Sequence, residues 1–338
     1  RWSVANRRYR PSRKTRHEAS AVSTSSPVPI AVSVPANMLL LGEYAVTQPG
    51  RLGVTVAADR RARGTWTPGG ETRIEGWTAA PPHRGAPAFS WPGDHGVLGR
   101  AAQALRDQLG DPGGCFRFDT SAFFREDGEK RGYGSSAATV VMLAALWNRS
   151  VGRKPDHLMQ ESISLHRQAQ GGRGSGYDVA ASITGGCARF VGGPIAEAES
   201  LTLPWLPPLL LVRGSGPVRT PGALSRFEGW MREQPVAAAH ALDRSDALIR
   251  AVLDAGGWEE ALAHLEAYRE WSLELGDAIG VPAAFGLPPG VAGCASWWKA
   301  VGAGNELGVA AVARPIDPAA LPDGAEPLEI ATRGLVWE

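Results

Sequence analysis

The sequence predicts an α+β protein of two domains, and three observations carry that reading. Of 338 residues, 43% are hydrophobic, 20% charged and 7% aromatic, the balance of an ordinary folded chain and not of a disordered, collagen-like or disulfide-dense one. The length is about twice the ~150 residues of one domain. Helical and strand-like patterns are interspersed without the fixed repeat of a solenoid or propeller. Three cysteines, Cys115, Cys187 and Cys294, lie far apart without metal-ligand spacing, so free thiols and a cytoplasmic location are expected. No apolar run reaches the ~18–20 residues that span a bilayer, so no membrane partner is expected.

The elements follow in chain order. Residues 1–20 hold seven Arg or Lys against Glu18, a net of +6 that leaves −5 for the rest of the chain. Residues 1–27 are read as a basic, disordered tail, with no nucleic-acid partner assigned to it. Residues 30–34 read as a strand that turns at Pro35 and resumes over 38–41. A second β-rich stretch, 53–66, stops at Thr67, Pro68, Gly69 and Gly70. Residues 79–94, rich in Pro and Gly, read as a loop. A helix is expected over 97–109, a strand over 115–124, an apolar helix over 135–147 and another over 155–170. The Gly- and Pro-broken segment 189–208 is the candidate boundary, giving domains of 28–200 and 201–338. Beyond it come a strand at 209–213, long helices at 237–255 and 258–279, and strands at 308–313 and 328–331.

Three glycine-rich turns carry the chemistry. In the first, Lys130 and Arg131 precede Gly132, Tyr133, Gly134, Ser135, Ser136, Ala137 and Ala138, which run straight into the helix from 135. Glycines allow close backbone approach, and the first amides of a helix lack intrahelical partners, so a phosphate suits the place. The alternative is an ordinary turn capped by Ser135. No GxxxxGK[ST] string occurs, which excludes a Walker-type loop. The second places Asp178 after Gly171, Gly172, Arg173, Gly174, Ser175, Gly176 and Tyr177. That carboxylate either takes a proton, orients a nucleophile or helps hold Mg²⁺, or else caps the following helix. In the third, Lys299 leads into Gly302, Ala303 and Gly304. Trp297 and Trp298 beside it either wall a nucleotide base or pack in the core, the latter being the more common fate.

In this order the motifs resemble those of the GHMP kinase superfamily, whose members include galactokinase and the homoserine, mevalonate and phosphomevalonate kinases. The first family motif is similar to residues 34–46, with Gly42, Glu43 and Tyr44. The second is similar to 132–138 and the third to 302–304. Lys130 two residues before the loop, His166, and the Ala-Gln-Gly…Gly-Ser-Gly-aromatic-Asp-Val run of 169–179 are most like phosphomevalonate kinase.

The resemblance implies a ribosomal S5 domain 2-like N-terminal domain, a ferredoxin-like C-terminal domain and an active site between them. It implies ATP and Mg²⁺, with Lys130, Gly132, Gly134, Ser135, Ser136, Ala137 and Ala138 at the triphosphate, Ser136 also at the metal, and Asp178 as the catalytic carboxylate. Toward a small-molecule acceptor it implies Glu43, Tyr44, Arg173, Ser175, Thr220, Lys299, Gly302 and Ala303, with Arg213 and Arg219 as further cations if the acceptor is a phosphate. The reaction implied is 5-phosphomevalonate to 5-diphosphomevalonate, in a monomer or homodimer. The alternatives are another alcohol or phosphate acceptor, or a nucleotide-binding homologue with weakened turnover. Three departures stand out. Asn37 occupies the place of a lysine that assists transfer, Gly172 that of another lysine, and Asn305, Glu306 and Leu307 interrupt the third motif.

Overall fold

The computed structural model describes residues 28–93, 95–214 and 220–338; the expected tail, 1–27, and Arg219 lie outside them. Strand β1 (Ile30–Leu41) pairs antiparallel along β2 (Leu52–Thr67). The turn expected at Pro35 is instead a register shift within one continuous strand. A proline lacks the N–H for the ladder, and a local irregularity accommodates that loss without ending the strand.

Strands β3 (Arg73–Trp77), β4 (Phe89–Trp91) and β5 (Cys115–Asp119) extend the sheet on one side of β2. The supposed loop 79–94 therefore contains a short strand. Helix α1 (Val97–Leu109) precedes β5. Helices α2 (Ser135–Ser150), α3 (Leu158–Ala169) and α4 (Tyr177–Thr184) follow it. Strand β6 (Cys187–Val191) then pairs with the start of β2, and β7 (Glu197–Leu201) pairs with β6.

The apolar pattern of α2 explains its place. Residues 137–148 are all buried, so the helix lacks a polar face and belongs in the core. Ala137, Ala138, Ala144 and Ala145 are each at most 2% exposed; their small side chains permit close approach to β1 and β2, which α2 crosses. The N-terminal ends of α2 and α4 carry the two glycine-rich segments.

The second half begins with β8 (Leu209–Arg213) and helices α5 (Thr220–Glu233), α6 (Pro235–Asp254) and α7 (Trp258–Ile279). Strands β9 (Ala295–Val301), β10 (Leu307–Val312) and β11 (Ala325–Leu328) join β8 in an antiparallel sheet of order β11-β8-β10-β9. The final strand, β12 (Val336–Trp337), returns to pair with β1, and Ile330 bridges to Ala58. Residues after 201 thus complete the first sheet as well as forming the second. The result is a mixed α+β fold of two sheets with helices against them. Among the described residues no helix is long and apolar enough to cross a membrane.

Candidate active site

A cleft of about 820 Å³ opens between the helix starts of the first half and the β9–β10 turn of the second. That size suits a drug- to nucleotide-sized ligand. It is lined by residues of all three glycine-rich segments, from Lys130 to Gly304, so the topology brings together turns far apart in the chain. Of the expected site residues, Glu43, Tyr44, Lys130, Gly132, Gly134, Ser135, Ser136, Arg173, Ser175, Asp178, Gly302 and Ala303 line it. Ala137 and Ala138 are fully buried behind the loop. Thr220 opens α5, its side chain lying outside the described residues.

Helix α2 starts at Ser135 from Gly134, whose left-handed backbone (φ 67°, ψ 40°) is the cap. No side chain caps the helix, which sets aside the alternative of an ordinary turn capped by Ser135. Beneath the turn lies Asn37, 2% exposed, donating from Nδ2 to Ser182 Oγ at 2.9 Å. A Cβ on Gly134 would sit 2.1 Å from Asn37 Oδ1, so glycine is required here by contact as well as by conformation. Asn37 is therefore a strut under the loop and does not line the cleft. Asn37 Oδ1 is buried without a partner among the described residues.

The second segment is shaped by Arg167 on α3. Its guanidinium donates to the carbonyls of Gly174 (2.9 Å), Ser175 (2.5 Å), Gly193 (2.8 Å) and Pro194 (3.1 Å). These bonds hold a loop with little regular structure of its own. The loop ends at Gly176 (φ 89°), where a Cβ would meet Ile163 at 2.7 Å. Asp178 then falls in the first turn of α4 and not at its cap, a position favourable for negative charge.

The Asp178 side chain is 24% exposed. Its Oδ1 accepts the Val179 amide at 2.9 Å, and Oδ2 lies 3.6 Å from His166 Nδ1. Burial acts to raise its pKa, yet His166 and the backbone amides hold it below the ordinary carboxylate value. His166 Nε2 is 3.1 Å from Ser136 Oγ. The cleft thus joins an uncapped helix start to an ionised carboxylate through one imidazole. The sequence pointed to His166 only as part of a resemblance, and gave no signal for Arg167.

The acceptor-side cations divide. Arg173 is exposed, 3.5 Å from Ser225 Oγ on α5, and Lys130 is exposed at the rim. Gly172, in the other lysine's place, is exposed with φ 84°. Arg213 is engaged by Glu129 at 2.5 Å. Lys299, expected as a ligand contact, instead lies 2% exposed beneath the cleft floor. Its Nζ donates to the Glu43 carboxylate and to the carbonyls of Leu40 (3.1 Å) and Ala300 (2.5 Å). A strand that leads into a turn alternates its side chains between faces, and Lys299 faces inward. Burial pushes its pKa down to about 7. Tyr268 Oη donates to Glu43 at 2.8 Å and accepts the Gly42 amide at 2.6 Å.

This anchored turn presents Tyr44, the only non-glycine residue with positive φ (60°) among those described. That conformation costs on the order of 1 kcal/mol for an L-residue. It directs the phenol over Phe227 (centroids 5.4 Å apart), where Oη donates to Ala303 O at 3.1 Å. Trp297 is 1% exposed and Trp298 lies under the Arg269 guanidinium; neither lines the cleft, which favours the core reading of the pair.

The sequence model of the GHMP kinases N terminal domain matches residues 97–186, a span holding the 132–138 loop and Asp178. No curated protein sequence matches the chain. Among solved structures, the Lin0012 protein from Listeria innocua superposes with a TM-score of 0.75 at 18% identity, covering 92% of this chain and 99% of that one. Phosphomevalonate kinase from Streptococcus pneumoniae, in complex with phosphomevalonate and AMPPNP, gives 0.67 at 15% identity over 91% and 100%. Mevalonate kinase from L. major, in complex with R-mevalonate, gives 0.58 at 17% identity over 83% and 86%. At such identities the likeness is one of architecture. Residues 97–186 thus match the GHMP kinases N terminal domain, and the chain shares its overall fold with these solved structures.

Proposed function

We propose that the cleft transfers the γ-phosphoryl group of ATP to a small-molecule acceptor, and that the acceptor is 5-phosphomevalonate. The observation that carries the reading is the convergence, in one cleft, of the helix start at Ser135 and the Asp178 carboxylate. The triphosphate would lie along Gly132, Gly134, Ser135 and Ser136, with Lys130 adding charge at the rim and Ala137 and Ala138 forming the backing. The donor set fits: a helix start that follows a left-handed glycine and has no side-chain cap suits a polyanion.

Among the described residues no cluster of three or more His, Cys, Asp or Glu is placed to hold a metal. Mg²⁺ commonly relies on substrate phosphates and waters with few protein ligands, so Ser136 as a protein contact fits that pattern. When bound, Mg²⁺ supplies charge neutralisation on the transferred group.

The acceptor decides what Asp178 does. An alcohol must lose a proton, which Asp178 would orient and accept. A phosphate monoester, with a second pKa of about 6, is already largely ionised at neutral pH. In that case Asp178 contributes less as a base, and Arg173 and Lys130 offset the repulsion between two anions. Those two cations at the mouth, and the phosphomevalonate bound by the pneumococcal relative, support the phosphate acceptor. Glu43, Tyr44, Ser175, Thr220, Gly302 and Ala303 would shape the acceptor end, with Lys299 acting from beneath through Glu43. A cytoplasmic monomer or homodimer is part of this proposal.

A second reading rests on Asn37. A lysine expected at the transferring group is replaced by a buried strut, which favours a different acceptor or a nucleotide-binding protein of slow turnover. Coupled ADP release with phosphomevalonate, mevalonate, homoserine and galactose separates these. Activity with phosphomevalonate alone is the expected result. Release with none, while Mg·ATP still raises the melting temperature, would replace the kinase reading by the nucleotide-binding one.

A further inference from the structure

Three helices meet at the His166 imidazole, which is 3% exposed. On one side, Nε2 lies 3.1 Å from Ser136 Oγ of α2 and 2.8 Å from Gln170 Nε2, one turn further along the chain. On the other, Nδ1 lies 3.6 Å from Asp178 Oδ2 of α4. An amide nitrogen can only donate. Its approach to the imidazole Nε2 therefore assigns the lone pair to that atom and the ring proton to Nδ1, on the side of Asp178. The two groups flanking the ring are the ones that the phosphotransfer reading asks to act together.

We propose that His166 is a positioning residue that sets both the phosphate-loop serine and the Asp178 carboxylate, through an Nδ1–H tautomer fixed by Gln170. The proposal rests on the phosphotransfer reading for its consequence in catalysis, but not for the tautomer. Asp178 Oδ1 accepts the Val179 amide, and His166 Nδ1 faces the other oxygen at 3.6 Å, a long contact that biases its orientation. Ser136 Oγ–H shares the one Nε2 lone pair with the nearer Gln170 amide, which leaves the serine's oxygen lone pairs free of the ring. Without the ring, both side chains recover rotational freedom beside a loop whose residues 171–174 are exposed. Misplacement of about 1 Å at a reacting group can lower turnover on the order of 10²-fold.

Two amide variants divide the ring's functions. The nitrogen of an asparagine reaches the place of Nδ1, so His166→Asn keeps a donor for Asp178 and loses the partner of Ser136. The amide of a glutamine reaches the place of Nε2 and can turn its oxygen there to accept as the ring nitrogen does, so His166→Gln keeps a partner for Ser136 and loses the donor to Asp178. In steady-state ADP release, His166→Gln is expected to lower kcat by about 10- to 100-fold with KM for Mg·ATP within about threefold of wild type. His166→Asn is expected to raise KM for Mg·ATP more than it lowers kcat. Equal effects of the two variants on both constants would mean a structural role and overturn the proposal.

The tautomer is tested without nucleotide or acceptor, by ¹⁵N-histidine NMR of the wild-type protein, the His166 signals being identified by their absence from His166→Gln. Protonated Nδ1 and unprotonated Nε2 are expected. Protonation at Nε2 would overturn the proposal even if the enzyme turns over. If the tautomer is as expected but wild type releases no ADP, the kinase reading fails. AMPPNP affinity then decides the positioning role: weakening by His166→Asn more than by His166→Gln sustains it for the loop, and equal weakening ends it.

Discussion

Replacing Lys299 by methionine tests whether the cleft floor is held by charge. The Lys299 and Glu43 side chains are 1% and 5% exposed, so neither is screened by water. Lys299→Met leaves the Glu43 carboxylate with the Tyr268 hydroxyl and leaves the Leu40 and Ala300 carbonyls without that donor. Breaking a buried pair from one side costs about 3–5 kcal/mol, because the remaining charge stays buried. The double variant Lys299→Met with Glu43→Gln removes both charges and keeps an acceptor for Tyr268. Its cost should be about 1–2 kcal/mol, the scale of the lost hydrogen bonds. The coupling between the two substitutions is then at least ~2 kcal/mol, outside the ~0.5 kcal/mol expected of independent sites. Urea unfolding followed by tryptophan fluorescence suits a chain with 12 tryptophans. With a slope of about 3 kcal/mol/M, the single variant's midpoint should fall by about 1–2 M and the double's by less than about 1 M. A single variant within ~1 kcal/mol of wild type, or additive losses in the double, would refute the pairing as the anchor of the Glu43 turn.

Asp178→Asn should lower turnover at least ~10²-fold against an alcohol acceptor and by less against a phosphate acceptor, which is already ionised; equal, small losses with both would remove Asp178 from the mechanism. Because folding lowers the Asp178 pKa from 3.8, its stabilising contribution is complete above that value and is lost as pH falls through the folded value. The stability difference between wild type and Asp178→Asn should therefore be level from neutral pH to about 5 and shrink below about 4, as read by urea titrations at each pH. Ser136→Ala should weaken use of Mg·ATP more than binding of the acceptor, and equal effects on the two KM values would count against the loop assignment. Gly134→Ala should cost about 2 kcal/mol or more, from the left-handed backbone and the displaced Asn37. Adding Asn37→Ala should recover part of that loss, and no recovery would show that contact with Asn37 is not the constraint.

Helix α7 and strand β8 match their expected bounds because the first has a clear apolar period, the second is a short continuous apolar run, and both end abruptly, at Gly257, Gly280 and Gly214. Strands β3, β7 and β12 were not legible. They are short and carry charged or half-exposed residues, and their place is set by neighbouring strands, a nonlocal influence that pattern within a window cannot register. Helix α5 was missed for a related reason: Gly222 and Gly229 dilute its apolar period, while its Phe227 is fully buried against Tyr44 from the first half.

The site divides along the same line. Turns that need glycine announce themselves in a string, so the two loops and Asp178 were legible as a set. What a side chain does with its charge is decided by the strand face on which it lands. Lys299 and Asn37 are the instructive pair. The lysine, which by type could meet a phosphate, is spent on Glu43, while the position where a lysine was expected holds a neutral strut. The positive charges that line the cleft are consequently Arg173 and Lys130, both exposed, together with Arg100 and Arg167, whose donors are engaged on backbone carbonyls, while Lys299 lies beneath the floor. That placement favours recognising an anionic group that enters with the acceptor over polarising a hydroxyl deep within the site. It is the physical reason to test the phosphorylated acceptor first.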